Sequence, residues 1–132
     1  MADAIEIHGT AFKNGSATFL ARVVGDDGEP ITPANIASAT YGVWLLDDRD
    51  PDAATAVEGH AGVALSPASI LLDGLATGAI WEADAVGYNF RHVLDVSEHQ
   101  AFTIAGRNYR VEYRLVPVSG QPILVRFRVH VI

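Results

Sequence analysis

Two successive segments late in the chain alternate apolar and charged residues without a break, and together they leave few folds open. Tyr109, Val111, Tyr113 and Leu115 alternate with Arg110, Glu112 and Arg114, and Ile123, Val125, Phe127 and Val129 alternate with Arg126, Arg128 and His130. Successive side chains of a strand point to opposite faces, so each segment has one oily and one charged side. That is the signature of a sheet with one face in a core and the other in water. Pro117-Val118-Ser119-Gly120-Gln121-Pro122 supplies a turn between them. Both apolar sets fall on odd numbers, so facing residues must have an even sum, as in Val111 with Phe127. A two-residue Ser119-Gly120 turn would pair odd with even and send one oily set into water. The sequence therefore predicts a hairpin of Tyr109–Val116 with Ile123–Val131, closed by a three- or five-residue loop with Gly120 at positive φ.

The rest of the chain reads the same way. Ala4–His8 alternates as a short first strand would. Ala17–Val24 is a second strand, with Phe19, Ala21 and Val23 on one face, and Gly25-Asp26-Asp27-Gly28-Glu29-Pro30 turns the chain after it. Ile31–Ala37 is a connector in which Thr32 can cap a short helical turn with Pro33 at its first position. Ser38–Asp47 is a third strand, with Tyr41, Val43 and Leu45 on one side and Trp44 and Leu46 on the other. Val63–Leu65 is a short strand that Ser66-Pro67 breaks, and Ser69–Leu75 is an apolar segment with a Gly turn, followed by Ala79–Ala83 around Trp81. Tyr88–Val96 places Tyr88, Phe90, His92 and Leu94 on one face and Asn89, Arg91, Val93 and Asp95 on the other. Helical periodicity of useful length is absent. Short strands with turn signals roughly every ten residues are the pattern of a β-sandwich. Its expected core contains Phe19, Val43, Leu45, Phe90, Leu94, Tyr109, Val111, Tyr113, Phe127 and Val129. No repeat, linker or low-complexity tract divides the chain, so residues 1–132 read as one domain.

Composition narrows the function. The chain is 49% hydrophobic and only 19% charged, which favours folding over disorder. There is no Cys, which removes disulfide scaffolds and Cys-ligated metal. The net charge of −7 makes the chain a poor general ligand for nucleic acid. No apolar run approaches the roughly 20 residues that span a bilayer, and the opening residues show no signal-peptide pattern, so synthesis in the cytoplasm is the expectation. The charge is uneven. Asp3, Glu6, Asp26, Asp27, Glu29, Asp47, Asp48, Asp50, Asp52 and Glu58 stand in the first 60 residues against Lys13, Arg22 and Arg49. The remainder balances six acids against Arg91, Arg107, Arg110, Arg114, Arg126 and Arg128.

Each candidate for chemistry has a plainer reading beside it. Asp48, Asp50 and Asp52 alternate as in a calcium loop, but an EF-hand wants Gly and Glu where Ala53 and Gly59 stand; a solvated loop is the better fit. His92, Asp95, Glu98 and His99 are close in sequence, with Glu82 and Asp84 not far off. In a strand, however, His92 points away from Asp95 and shares the apolar face, which reads as a core histidine with a hydrogen-bond partner. There is no nucleophile elbow and no phosphate loop. No catalytic residue, metal ligand or cofactor is therefore expected. The remaining surface feature is the charged side of the hairpin: Arg110, Arg114, Arg126, Arg128 and His130, with Glu112 as its one acid. It is either a solvated exterior with Glu112 paired across strands or a docking face for an acidic partner.

Three stretches carry a family resemblance: Gly9 to Leu20 with Asp27-Gly28-Glu29-Pro30-Ile31 and Ala39-Thr40-Tyr41-Gly42-Val43-Trp44; Trp81-Glu82-Ala83-Asp84-Ala85-Val86-Gly87-Tyr88-Asn89-Phe90; and Gly106-Arg107-Asn108-Tyr109-Arg110-Val111-Glu112-Tyr113. The chain resembles small immunoglobulin-like sandwich proteins of phage and prophage structural genes, including the amino-terminal domain of baseplate upper proteins. The resemblance implies an all-β, immunoglobulin-like sandwich of about seven to nine antiparallel strands. It also implies a structural component of a particle, virion-associated and repeated around a ring. The partners it implies are other structural proteins or copies of itself as a homo-oligomer; the charge and the lack of an apolar span give the expectation of no nucleic acid and no membrane. The competing reading is a carbohydrate- or ligand-binding sandwich, in which Trp44, Trp81 or Tyr88 would form an exposed platform.

Overall fold

The computed structural model describes residues 5–25, 27–47, 49–50, 52–78, 80–81 and 84–132, and the side chains of all of these except 5, 6 and 8. Among the described residues the strands are, in chain order, β1 (Ile5–Ala11), β2 (Thr18–Ala21), β3 (Ile36–Leu46), β4 (Ala54–Ala56) and β5 (Val63–Leu65), then β6 (Leu71–Ala76), β7 (Tyr88–Val93), β8 (Asn108–Pro117) and β9 (Ile123–Val131). A 3-10 turn, Pro33–Asn35, precedes β3, and a single helical turn, Pro67–Ile70, precedes β6. Thr32 does start the 3-10 turn, its backbone N–H donating to Asn35 Oδ1 at 2.9 Å. The strands form two sheets packed face to face. One has the order β1-β9-β8-β3, with β4 and β5 on successive stretches of the far edge of β3; the other has the order β2-β7-β6. The chain is an all-β sandwich.

The closing hairpin organises the larger sheet as parity requires. Leu115 faces Ile123, Tyr113 faces Val125, Val111 faces Phe127 and Tyr109 faces Val129. Residues 118–122 lie between the strands, and Gly120 takes φ +108°, a conformation that costs glycine little. The odd-numbered side chains from Tyr109 to Leu115 and from Ile123 to Val131 are buried on the side that faces the smaller sheet. There Phe19 and Phe90 meet Phe127 at ring-centroid distances of 4.7 and 6.2 Å, and Tyr113 at 6.1 and 4.7 Å.

Four expectations need correction. The strands are not all antiparallel: β1 runs parallel to β9, from Ile5 beside Val125 to Ala11 beside Val131. Alternation reports which face a residue takes and not the direction of its strand. Because β1 hands the chain to β2 in the opposite sheet, no tight hairpin forces it to run against its neighbour. Leu45 is only half-buried, since its inward side opens on a groove at the sheet edge, whereas Leu46 is 4% exposed. The apolar segment Ser69–Leu75 has no turn at Gly74: it is the end of the helical turn followed by β6, which contains Gly74 and pairs irregularly with β7. Asn89, expected on the polar side of β7, is fully buried. Its Oδ1 accepts from Val23 N at 2.7 Å, and its Nδ2 donates to Val23 O at 2.8 Å and Ile31 O at 2.9 Å. The amide thus stands in for a strand partner where β2 ends and the chain turns.

Candidate functional site

The outer side of the larger sheet carries the even-numbered residues of β8 and β9. Register sets them in rows. Trp44 on β3 stands beside Arg110 on β8, Arg110 faces Arg128 on β9, and the β1 backbone places position 8, a His, beside Arg128. In the next row come Gly42, Glu112, Arg126 and position 6, a Glu; in the next, Thr40, Arg114 and Leu124. Glu112 is committed to one cation: Arg126 Nε donates to Glu112 Oε2 at 2.8 Å, and Nη2 lies 2.6 Å from the same oxygen. Arg110, Arg114 and Arg128 hold no carboxylate among the described residues. Arg110 Nε is shielded from water and has no hydrogen-bond partner among the described residues. Two guanidinium groups facing each other across an antiparallel pair repel, at a cost of a few tenths to about 1 kcal/mol.

Trp44 completes this surface. A β-carbon on Gly42 would stand 2.5 Å from the Trp44 ring, so the indole lies over the strand in the space the glycine leaves. The ring is half-buried and flanks Arg110. Trp81 is also half-buried. It packs 5.5 Å from Tyr88, which is 8% exposed, and donates its indole N–H to Asp84 at 3.0 Å. Trp44 is on β3 of the larger sheet and Trp81 is in the loop between β6 and β7, and Trp81 is tilted by 40° to its ring neighbour Tyr88, so among the described residues no coplanar tryptophan pair faces solvent.

The other candidate residues are dispersed or internally used. Asp84 accepts from Arg22 Nη1, Trp81 Nε1, Val86 N and Gly87 N, and these donors, Trp81 foremost, hold its carboxyl far below the usual range. It staples the loop before β7. Glu82 and Asp48 lie outside the described residues. Asp47 accepts from Arg49 N at 2.7 Å and Asp50 N at 3.1 Å, and Asp50 accepts from Asp52 N at 3.1 Å, so the acidic segment spends carboxylates on its own backbone turns. Asp95 accepts from Ser97 N at 2.9 Å. Among the described residues no group of three His, Asp or Glu converges as a metal site would require.

His92 does have an internal partner, 2.5 Å from the Tyr113 hydroxyl. A second such pair had no signal in the sequence. His60, 2% exposed, joins the Tyr41 hydroxyl at 2.7 Å to the His99 carbonyl at 2.7 Å. Tyr41 packs 5.2 Å from His92 and 5.8 Å from Tyr113, so the two pairs form one buried seam between the sheets. Burial keeps the Tyr113 phenol protonated and pushes the His92 imidazole down to about 4 from 6.5. Neutral His92 Nδ1 can therefore accept a hydrogen bond from the Tyr113 hydroxyl. Its folded value lies below its unfolded one, so its contribution to stability is complete above about pH 6.5 and is lost as pH falls toward about 4. Thermal melts should show wild type losing stability between pH 7 and pH 4.5, and His92→Gln, which keeps an acceptor but does not titrate, losing less. Identical slopes would remove His92 as the cause.

Comparison of the chain with protein-family models, with curated proteins and with solved structures found no match to any of them.

Proposed function

We propose that this chain is a non-enzymatic docking and assembly module of the immunoglobulin-like sandwich type, and that the outer side of its larger sheet is the docking surface. The observation that carries this reading is the facing pair Arg110 and Arg128, left without a carboxylate among the described residues in a chain of net charge −7. A sheet face selected only for stability would place an acid at one of those positions, as it does at Glu112 with Arg126. Keeping two repelling cations costs the fold and gains an anion receptor with bidentate geometry. Trp and Arg are also the residue types that dominate interface energetics, and Trp44 lies beside this pair. The resemblance to phage and prophage sandwich proteins supports a structural setting, in which the partners are other components of a particle.

One substitution separates function from stability. Arg128→Glu turns a repulsive pair into an attractive one, so it should raise stability by about 1 kcal/mol, roughly 3–5 °C in Tm. The same change should abolish salt-sensitive binding of a short polyglutamate chain, followed by calorimetry. Binding that is absent in wild type, or that survives both this change and high salt, would sink the docking reading.

A further inference from the structure

The residue before Arg110 points the other way. Tyr109 lies on the inner side of β8, where it and Leu45 floor a groove of about 430 Å³ between β4 and the 98–103 loop, with Val57, Glu58, Glu98 and His99 on its walls. The groove is held in shape by backbone and by the buried histidine. Val57 N donates to Val43 O at 2.9 Å, Val43 N donates to His60 O at 2.7 Å, and His60 Nε2 is 2.7 Å from His99 O, which ties one wall to the other. Little rearrangement is then needed to receive a ligand.

Its acids, like Glu29, Asp52 and Asp73, are exposed and without a partner among the described residues, whereas other carboxylates are spent on the fold. Asp27, Asp47, Asp50, Asp84 and Asp95 each accept from N–H groups of their own chain. Glu58 and Glu98 are exposed and hold no hydrogen bond or ion pair among the described residues. Two glutamates over an apolar floor are the charge complement of two arginines beside a half-buried indole. Because Tyr109 and Arg110 are successive residues of one strand, groove and arginine face lie on opposite sides of the same sheet, and one molecule can use both at once.

We propose that the partner of the arginine face is a second copy of this chain, with Arg110 and Arg128 of one copy docking at the groove between Glu58 and Glu98 of the next. The contact is heterologous, each copy offering a face to one neighbour and a groove to another, so it propagates until a ring closes or a filament forms. This inference rests on the docking reading above and adds the identity of the partner.

Complementation between neutral variants tests it by sedimentation velocity at low salt. The face variant is Arg110→Ser with Arg128→Ser; the groove variant is Glu58→Gln with Glu98→Gln. Wild type should self-associate with concentration, and each variant alone should remain monomeric, its association weakened at least tenfold while its melting curve stays two-state. An equimolar mixture should form 1:1 dimers and nothing larger, since one intact face meets one intact groove. A wild type that stays monomeric while it still binds polyglutamate overturns the self-association and leaves the docking surface standing; failure of both assays removes both. A groove variant that assembles like wild type overturns the assignment. So does loss of assembly on Glu29→Gln, at the separate groove beside the 118–121 turn, with the groove variant unaffected.

Discussion

Truncation of Phe127 to alanine should cost about 3–5 kcal/mol, a large part of the roughly 5–15 kcal/mol that holds a domain of this size. The ring is 4% exposed and occupies the centre of an aromatic cluster, with Phe19, Tyr113 and Phe90 at centroid distances of 4.7, 5.9 and 6.2 Å. Phe19 and Phe90 belong to the smaller sheet and Tyr113 to the larger, so alanine opens a void at the contact between the two layers. Those neighbours are tied to opposite sheets and cannot close it without moving backbone. Phe127→Leu keeps most of the volume and should cost less than half as much. Urea denaturation measures both; an alanine variant within about 0.5 kcal/mol of wild type would show that the void collapses freely and that Phe127 is not the centre of the core.

Asn89→Ala should be nearly as damaging, about 3 kcal/mol or more. Its amide satisfies three buried backbone groups, Val23 N, Val23 O and Ile31 O, and each group left unmet in the interior costs roughly 1–3 kcal/mol. Asn89→Asp discriminates hydrogen bonding from packing. The shape is kept, but an ionised oxygen would face the Val23 and Ile31 carbonyls, so the buried carboxyl must stay protonated in the fold. Its folded pKa would then exceed its unfolded value of about 3.9, and the variant should be best folded in acid and lose stability as pH rises. An alanine variant within about 0.5 kcal/mol of wild type would mean that water reaches these groups and replaces the amide.

The candidate surface was more legible than its use. That Arg110, Arg114, Arg126 and Arg128 share a face follows from alternation alone, and the pairing of Glu112 with one of the arginines follows from parity. Which arginines remain unpaired depends on register, which puts Glu112 opposite Arg126 and leaves Arg110 opposite Arg128. The indole of Trp44 beside them is a property of β3 as a neighbour, as is the glycine that makes room for it. The groove was invisible in the sequence, because Glu58 and Glu98 come from segments 40 residues apart that the fold, with His60 bonded to the His99 carbonyl, brings together.

By itself the sequence determined the β class, the closing hairpin with an odd-length loop of three or five residues, and most of the core, because period-two alternation and turn chemistry are local and one buried face fixes the parity of the register. Tertiary structure decided the rest. The parallel seating of β1, the half-open site at Leu45, the burial of Asn89 and the two Tyr–His pairs all depend on which elements from distant parts of the chain become neighbours. A polar side chain looks the same in a sequence whether water or a buried backbone group will satisfy it, and only the packed molecule supplies that partner.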